Sequence, residues 1–410
     1  MQNRFDVVVI GAGAAGLMCA AQAGLRGLHV ALIDHAERTA EKIRISGGGR
    51  CNFTNLEGGR EDRYFGEQPR FVRFALRAYP PERFIQLVRE HGIDYHEKHK
   101  GQLFCDDSSE RIIRMLLAEC ERARVQRLQP CQIAQVRRCA DNETHRFEIE
   151  CSAGTLRARN LVVATGGLSI PKIGATDLGH RLARQFGHRV IAPRPALVPL
   201  LFDDSWAAHW GELAGLSQPV RIRAGSSPVF DDDLLFTHRG LSGPAVLQAS
   251  SFWGPGVSLR IILSDAVRLR DHLATAQMGA GQRPLAAVLA DLMPRRLAQR
   301  WLSQTGFAEH GTRRIAEVGR RDLARLVERL LDWQVSPTGT EGYRKAEVTA
   351  GGVATDELDA RSMQSLREPG LYFIGEVVDV TGWLGGYNFQ WAWSSGWSAG
   401  QALVGGSTSL

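Results

Sequence analysis

The chain has 410 residues, which is enough for two or three domains with a sizeable buried core. Hydrophobic residues make up 44% of it and charged residues 23%, as in ordinary globular proteins, so the composition excludes a disordered chain. No apolar run approaches the roughly 18 residues of a membrane span. Asp6 and the glycines after it interrupt the N-terminal apolar run, which argues against a signal peptide. We therefore expect a cytoplasmic protein without membrane contact.

Charge and cysteine content narrow the possible partners. Fifty Lys and Arg residues against 44 Asp and Glu residues give a formal net charge of +6, which allows an anionic partner without requiring one. The seven cysteines are odd in number and contain no C-x-x-C pair, so they fit neither a disulfide framework nor a zinc ribbon. We expect reduced thiols at Cys19, Cys51, Cys105, Cys120, Cys131, Cys139 and Cys151.

The predicted elements of the first half alternate between strands and helices, beginning with a βαβ unit. Short apolar, β-branched runs indicate the strands, and Ala- and Leu-rich runs with helical spacing indicate the helices. The predicted strands lie at 5–10, 29–33, 93–96 and 161–165, and the predicted helices at 16–24, 82–91 and 110–122. This order predicts an α/β protein with a parallel sheet.

The residue pattern of the second half differs from that of the first. Residues 193–265 contain short strand-like runs broken by Pro, Gly and Ser, and residues 266–336 are rich in Leu, Ala and Arg with helical spacing. After residue 336 the glycine-rich α/β pattern returns. We therefore predict a discontinuous first domain, residues 1–192 with 337–410, interrupted by an inserted mainly-β part and a helical part.

A glycine-rich segment follows the first predicted strand. It reads Gly11-Ala-Gly-Ala-Ala-Gly16, opens the first predicted helix, and is followed by Asp34 at the end of the second strand. Such glycines permit a tight turn and close approach of a pyrophosphate to a helix N-terminus, and the acid can accept a hydrogen bond from a ribose hydroxyl. The pattern predicts a dinucleotide site; the alternative is a tight helix-strand contact without a ligand.

Two further strands run into glycine turns, at Leu161-Val-Val-Ala-Thr-Gly-Gly167 and Leu371-Tyr-Phe-Ile-Gly-Glu376. Each is suited to passing the backbone beside a long dinucleotide, and no second G-x-G-x-x-G segment follows a strand. A bound FAD, without a separate nicotinamide domain, is therefore the simpler interpretation.

The segment Lys42-Ile-Arg-Ile-Ser-Gly-Gly-Gly-Arg-Cys-Asn-Phe-Thr-Asn55 resembles the signature of the HI0933-like, or BaiN-like and aminoacetone oxidase-like, flavoproteins. Further segments are similar to the same family: Phe236-Thr-His-Arg-Gly-Leu-Ser-Gly-Pro244, Val348-Thr-Ala-Gly-Gly-Val353 and Gly375-Glu-Val-Val-Asp-Val-Thr-Gly382. Within the family, Tyr95-His-Glu-Lys98, Gly101-Gln-Leu-Phe-Cys-Asp-Asp107 and the segment 381–395 resemble the branch that reduces a uridine of ribosomal RNA. Other branches are linked to oxidation of small amines or reduction of steroid-like substrates.

The resemblance implies a glutathione-reductase-like Rossmann FAD-binding domain with inserted parts. It implies reduction of a uridine in large-subunit (23S) ribosomal RNA, or in a large-subunit precursor, with NADH or NADPH as a transient reductant. In the wider flavoprotein class an Asp follows the late strand-end glycine; here Glu376 stands there, and Asp379 is a nearby substitute. The predicted cofactor-binding residues are Gly11, Gly13, Ala14, Ala15, Gly16, Asp34, Lys42, Ser46, Gly47, Gly48, Gly49, Arg50, Cys51, Asn52, Ile133, Thr165, Gly166, Gly375, Glu376, Gly385, Gly386 and Asn388.

Reduction of a uracil needs a hydride at C6 and a proton at C5 from a positioned acid. Candidates by residue type are Cys51, His238, Tyr387 and Cys105. We predict Cys105 as the catalytic residue, by analogy with the unrelated tRNA dihydrouridine synthases, which use a cysteine. A buried, inert cysteine is the alternative. His96, His99 and Cys105 match no established spacing of metal ligands, so we expect no metal.

Aromatic and basic segments bear on RNA binding. Six aromatic residues lie between 383 and 397; one or two could stack on a flipped base, and core packing accounts for the others. Nine Arg against four acidic residues from Arg295 to Arg329, and an Arg-rich run from Arg60 to Arg77, indicate either solvated helix faces or phosphate-binding surfaces.

Three hypotheses follow. The first is an FAD-dependent rRNA dihydrouridine synthase using NAD(P)H. The second is a small-molecule flavin oxidase or reductase that acts on amines or enones. The third is a non-catalytic, FAD-dependent RNA-binding factor.

Overall fold

The computed structural model describes residues 3–139, 145–279 and 281–405. Its helices are α1 Ala14–Leu25, α2 Glu41–Ile45, α3 Arg73–Ala78, α4 Pro81–Glu90, α5 Glu110–Arg122, α6 Leu178–Gln185, α7 Ser205–Trp210, α8 Pro244–Ser250, α9 Ala266–Met278, α10 Leu285–Leu289, α11 Arg295–Gln304, α12 Arg320–Leu331 and α13 Tyr387–Ala402. Its strands are β1 Arg4–Ile10, β2 Val30–Ile33, β3 Asn52–Asn55, β4 Tyr64–Phe65, β5 Tyr95–Glu97, β6 Gln102–Cys105, β7 Gln126–Leu128, β8 Ile133–Arg138, β9 Phe147–Cys151, β10 Gly154–Val163, β11 Val190–Ala196, β12 Leu200–Leu201, β13 Ser217–Ala224, β14 Phe230–Phe236, β15 Gly240–Ser242, β16 Leu259–Ile262, β17 Trp333–Val335, β18 Gly339–Thr340, β19 Val348–Val353, β20 Leu371–Phe373 and β21 Thr381–Gly382.

The chain divides into two compact units, Met1–Arg194 with Val348–Leu410, and Pro195–Glu347. The predicted first domain resumes at residue 337, whereas the first unit of the structure resumes at Val348. The segment between these two positions stays with the second unit because β18 pairs with β12.

A largely parallel sheet forms the centre of the first unit, with strand order β7-β2-β1-β10-β9-β8 and β20 beside β10. Strands β7, β2, β1, β10 and β20 are parallel, and β9 and β8 form an antiparallel extension. The apolar residues of β1, β2 and the end of β10 are buried, as expected for strands that are covered on both faces. The predicted α/β Rossmann fold is confirmed.

The register brings four strand ends into one row. Ile10 lies beside both Ile33 and Val163, and Val163 lies beside Phe373. The residues that follow these four strands therefore share one edge of the sheet, where doubly wound folds bind their ligands. The glycine loop, Asp34 and both later glycine turns begin at this edge.

Helix α13 packs against α1 and carries much of the aromatic segment. An added Cβ at Gly396 would lie 2.5 Å from the carbonyl oxygen of Ala15, so the two helix backbones are in close contact. Trp391 and Trp393 are fully buried, and the ring of Trp393 stacks on Phe84 at 4.3 Å. Core packing therefore accounts for these two tryptophans.

The second unit is built on a seven-stranded sheet in the order β17-β16-β13-β14-β15-β12-β18. The pairings of these strands are antiparallel, and buried and exposed residues alternate along β13, as expected for a sheet with one solvated face. After the helices α9 to α12, the chain returns to this sheet through β17, which pairs with β16. The β-rich and helical segments therefore share one compact unit.

Candidate dinucleotide site

The glycines of the loop between β1 and α1 differ in their surroundings. An added Cβ would lie 2.4 Å from the carbonyl oxygen of Ala164 at Gly11, and 1.8 Å from that of Gly11 at Gly16, so both positions are closed by packing. At Gly13, which precedes α1, nothing lies within 4 Å of an added Cβ. No side-chain hydrogen bond caps α1 at Gly13, so the first N–H groups of this helix are not satisfied by a capping side chain among the described residues.

Asp34 follows β2 at the same edge. Its carboxylate accepts hydrogen bonds from the backbone N–H of Ala12 at 2.6 Å and of Ala36 at 2.8 Å, which ties the glycine loop to the end of β2. The oxygens retain lone pairs for a further donor, such as a sugar hydroxyl. Ile133 begins β8 shortly after Cys131, whose N–H donates to the carbonyl of Asp34 at 2.7 Å.

Lys42 and Glu376 form an ion pair that joins distant segments. The ammonium of Lys42 lies 2.6 Å from the carboxylate of Glu376 and donates to the hydroxyl of Ser169 at 2.7 Å. Glu376 also accepts from the backbone N–H of Thr349 at 2.8 Å. Lys42 and Glu376 are among the predicted cofactor residues, whereas Ser169 and Thr349 are not. Their position within or directly after the glycine-rich segments 161–167 and 348–353 is the signal that could have found them.

Asp379, the sequence-based substitute for Glu376, faces a different segment. It is buried and accepts from the backbone N–H of Glu67 at 2.8 Å. Burial raises the pKa of this carboxyl above its usual value, against the smaller opposing effect of the hydrogen bond from the Glu67 backbone. Of the two acids, Glu376 is the one in contact with Lys42 and the glycine turns.

The segment 46–52 forms a tight left-handed turn. Gly47, Gly48 and Gly49 have φ values of 58°, 67° and 85°, and open space surrounds an added Cβ at Gly48 and Gly49. At Gly47 an added Cβ would lie 2.8 Å from the ring of Phe104. Ser46 donates its hydroxyl to the carbonyl of Ile43. Turns of successive left-handed glycines present backbone N–H groups that suit an anion.

Arg50 and Cys51 follow this turn and differ in exposure. Arg50 is exposed, whereas Cys51 is fully buried with a φ of 49°. Burial raises the pKa of the Cys51 thiol well above its usual value, against a smaller opposing effect of Ser46. Cys51 therefore packs inside as a neutral thiol.

The start of α13 is held by side-chain amides. In the orientation that satisfies its neighbours, Asn52 accepts from the N–H of Gly386 at 3.2 Å and donates to the carbonyl of Thr54 at 3.0 Å. Asn388 accepts from the N–H of Gly382 at 2.8 Å and donates to its carbonyl at 2.9 Å. Both amides thus position the loop before α13.

The two glycines of that loop are required by close contacts. An added Cβ at Gly386 would lie 2.4 Å from the backbone of Thr54, and one at Gly385 would lie 2.8 Å from the amide of Gln102. Both residues have φ near 100°, at 109° for Gly385 and 96° for Gly386, which favours glycine. The loop is therefore fixed against β3 and β6.

The turn after β10 contains a buried hydroxyl next to a glycine that borders open space. The hydroxyl of Thr165 is buried and has no hydrogen-bond partner among the residues that the structure describes. Gly166 has a φ of 74°, and nothing lies within 4 Å of an added Cβ there. This turn lies against the glycine loop, because the Ala164 carbonyl contacts Gly11.

The three glycine-bearing turns and the start of α1 together form a site that a dinucleotide fits. Open glycines occur on three separate turns, and α1 begins without a side-chain cap. Contacts join the segments: Lys42 reaches Ser169, and an added Cβ at Gly375 would lie 2.9 Å from Ala15. An extended dinucleotide fits this arrangement, because the helix start offers backbone N–H groups, Asp34 can accept from a ribose, and three turns border open space.

The candidate proton donors differ in exposure. Cys105, at the end of β6, is fully buried, and burial raises its pKa to about 12, with smaller contributions from Asp107 and Asp106. On the neighbouring strand, the exposed imidazole Nδ1 of His96 lies 2.6 Å from the carboxylate of Asp106. His96 is not among the predicted proton donors: it belongs to the segment 95–98 that resembles the family, and its spacing excludes it as a metal ligand. An imidazole beside a carboxylate ten residues later is the pattern that could have marked it.

The remaining candidates lie on other elements. Tyr387 is buried at the start of α13, and burial raises its pKa to about 12. His238 belongs to the second unit. Within the described ranges, no group of three or more His, Cys, Asp and Glu side chains is arranged to hold a metal, and no helix there could span a membrane.

Comparisons with known proteins identify the family. The model of the HI0933-like protein Rossmann domain matches residues 5–402. The chain is 47% identical over 404 residues to the ribosomal RNA dihydrouridine synthase of Escherichia coli (strain K12), covering 98% of both chains. It is 44% identical to the enzyme of the same name from Haemophilus influenzae (strain ATCC 51907 / DSM 11121 / KW20 / Rd), covering 98% of this chain and 99% of that one.

A more distant relative has another name. The chain is 26% identical over 413 residues to the 3-dehydro-bile acid delta(4,6)-reductase of Clostridium scindens (strain ATCC 35704 / DSM 5676 / VPI 13733 / 19), covering 97% of this chain and 98% of that one. The family predicted from the glycine-rich signature is confirmed by the family model and by relatives aligned over almost their full length. The chain belongs to the HI0933-like family of Rossmann-domain proteins.

Proposed function

We propose that this chain is an FAD-dependent oxidoreductase that reduces a uridine of 23S ribosomal RNA to dihydrouridine, with NADH or NADPH as electron donor. The observation that carries the proposal is identity of 47% and 44%, over nearly the whole chain, to two proteins named ribosomal RNA dihydrouridine synthase. The open glycine turns at the edge of the parallel sheet support a flavin dinucleotide as the cofactor.

Several of the predicted cofactor residues have distinct roles in this proposal. The N–H groups of α1 after Gly13 would hold the pyrophosphate, and Asp34 would accept from the ribose. The turn at Gly48 and Gly49 and the turn at Gly166 would border the cofactor through their backbones. The Lys42–Glu376 pair would keep these turns together. When bound and reduced by NAD(P)H, FAD would supply the hydride that adds to C6 of the uracil.

The protein must supply what the cofactor does not. A proton has to reach C5 of the uracil, and we propose Cys105 as its donor, by analogy with the cysteine of the unrelated tRNA dihydrouridine synthases. Its strand β6 pairs with β3 of the glycine-rich signature segment, and burial raises the pKa of the thiol, so that the thiol is neutral before the reaction. The partner is 23S rRNA or a large-subunit precursor in the cytoplasm.

Mass spectrometry of 23S rRNA tests the proposal. Cells that lack the protein should lose a nucleoside that is about two hydrogens heavier than uridine. The intact gene should restore it, whereas a Gly13→Ala gene should not, because the added methyl group enters the open space before α1. Identical rRNA with and without the protein would refute the proposal.

A second candidate is a small-molecule flavin reductase. It is supported by the 26% identical relative that is named a bile acid reductase. NAD(P)H consumption driven by a steroid-like enone, together with unmodified rRNA in the deletion strain, would favour it over the RNA substrate.

A further inference from the structure

The sequence contains two arginine-rich segments, and their ion pairs distinguish them. In the first, the arginines are used within the fold. Arg60 lies 2.8 Å from Asp62, Arg63 lies 3.1 Å from Glu57, and Arg73 lies 2.7 Å from Glu61. Arg77 is also within 3.6 Å of Glu61. Most of the positive charge between Arg60 and Arg77 is thus neutralised by neighbouring carboxylates.

Helix α12 in the second segment is different. Its buried face consists of Leu323, Leu326, Val327 and Leu330, and its exposed face carries four arginines against two acids. We call these four residues the α12 arginine surface: Arg320, Arg321, Arg325 and Arg329.

The partners of these arginines leave three of them available. Arg325 pairs with Asp322 at 3.0 Å and lies over the ring of Phe307. Arg320, Arg321 and Arg329 are exposed and form no ion pair or side-chain hydrogen bond among the described residues. An unpaired guanidinium can bind an anion without first breaking an internal contact.

The spacing of the arginines suits a chain of phosphates. Arg321, Arg325 and Arg329 follow one another at intervals of four residues, which places them on one helix face at steps of about 6 Å. The exposed positions of α12 include no large apolar side chain, whereas protein interfaces centre on aromatic and apolar residues. A nucleic acid backbone therefore fits this face better than a protein does.

We propose that the α12 arginine surface binds the phosphate backbone of the RNA substrate. This inference rests on the proposed function, since the RNA is the substrate proposed there. It assigns recruitment of the RNA to the second unit and the cofactor to the first. Substitutions on α12 should raise the KM for RNA and leave flavin binding and flavin reduction unchanged.

The test compares two charge reversals of equal size on the FAD-loaded protein. The Arg321→Glu/Arg329→Glu variant alters the α12 arginine surface, and the control Arg70→Glu/Arg114→Glu alters exposed arginines of the first unit that form no ion pair among the described residues. Binding of transcribed 23S rRNA is measured across a salt series. We expect the α12 variant to lose affinity about tenfold or more, with a salt dependence shallower by about 1.5 in log-log slope, and the control to change by less than about threefold.

Further variants keep the result interpretable. Arg321→Lys/Arg329→Lys keeps the charge and should bind within about threefold of the parent. Arg321→Gln/Arg329→Gln replaces the reversal if the Glu variant does not fold. The inference would be overturned if the α12 variants bound RNA normally, or if the control lost as much affinity as they do. It would also be overturned if the α12 variants lost binding to phosphatidylglycerol vesicles but kept binding to RNA.

Dihydrouridine formation, measured in the same samples, separates the two proposals. If the parent forms dihydrouridine and the α12 variants bind RNA normally, the surface assignment fails and the proposed function stands. If the parent binds RNA through α12 but forms no dihydrouridine, the proposed reaction fails and the RNA-binding surface stands.

Discussion

Cys105 and His96 lie on paired strands and differ in exposure. Tyr95 of β5 pairs with Cys105, and His96 pairs with Phe104. The Cys105 thiol is fully buried with a raised pKa, whereas the imidazole of His96 is exposed beside Asp106. The raised pKa favours the protonated thiol of Cys105 at neutral pH, whereas the imidazole of His96 is the more accessible group. Cys105 therefore stays a prediction that a direct comparison can test.

We predict that Cys105→Ala lowers dihydrouridine formation by about 10²-fold or more, while NAD(P)H still reduces the flavin, because only protonation at C5 is lost. Single-turnover mixing of the reduced protein with rRNA measures the first rate, and flavin absorbance measures the second. His96→Asn is the matched control and should retain most activity. Loss of activity in His96→Asn with normal activity in Cys105→Ala would assign the proton to His96 instead.

The loop between β1 and α1 shows how one element combines folding and binding. Gly11 and Gly16 are closed by packing against backbone atoms, whereas Gly13 borders open space. Gly13 has a φ of −85°, a conformation that alanine also adopts. Substitutions in the same six-residue loop should therefore have separable effects.

We predict that Gly13→Ala folds with a normal unfolding midpoint but binds FAD at least about tenfold more weakly, because its methyl group takes space that a pyrophosphate would need. Gly16→Ala should fail to accumulate as a folded protein, since its Cβ would lie 1.8 Å from the Gly11 carbonyl. Circular dichroism and FAD titration measure the two properties. Normal FAD affinity in Gly13→Ala would place the pyrophosphate elsewhere.

At the scale of the whole molecule, the cofactor residues and the α12 arginine surface belong to different units. All predicted cofactor-binding residues lie in the unit formed by Met1–Arg194 and Val348–Leu410, and α12 lies in Pro195–Glu347. Each unit has its own sheet. A ligand of the first unit should therefore stabilise that unit alone.

We predict two unfolding transitions in calorimetry, of which FAD shifts only one. At a free concentration a hundredfold above its Kd, FAD adds about 2.7 kcal/mol to the stability of the unit that binds it, which corresponds to a shift of about 5 to 10 °C. At the same concentration a Gly13→Ala variant with tenfold weaker binding should shift by about half as much, because the gain in stability falls to about 1.4 kcal/mol. A single transition that moves as a whole would show that the two units unfold together.

Local patterns allowed much of the first unit to be predicted. The helix predicted at 110–122 is observed as Glu110–Arg122, because its apolar residues repeat at helical spacing and its buried face is continuous. The second strand begins at Val30 rather than at residue 29, since the N–H of His29 donates to the carboxylate of Asp6. Patterns of this kind depend on neighbours in the chain and can be read directly.

The sequence by itself determined the α/β class, the glycine loop with Asp34 and the family, because short motifs and hydrophobic periodicity are local properties of the chain. Only the tertiary structure decided that Lys42 pairs with Glu376, 334 residues away, and that Asn52 and Asn388 hold the loop before α13. It also decided which arginines remain unpaired, since a charge is neutralised by whatever side chain the fold brings beside it. Partners that lie far apart in sequence leave no spacing to recognise, so burial, ion pairing and access emerge only when the chain is folded.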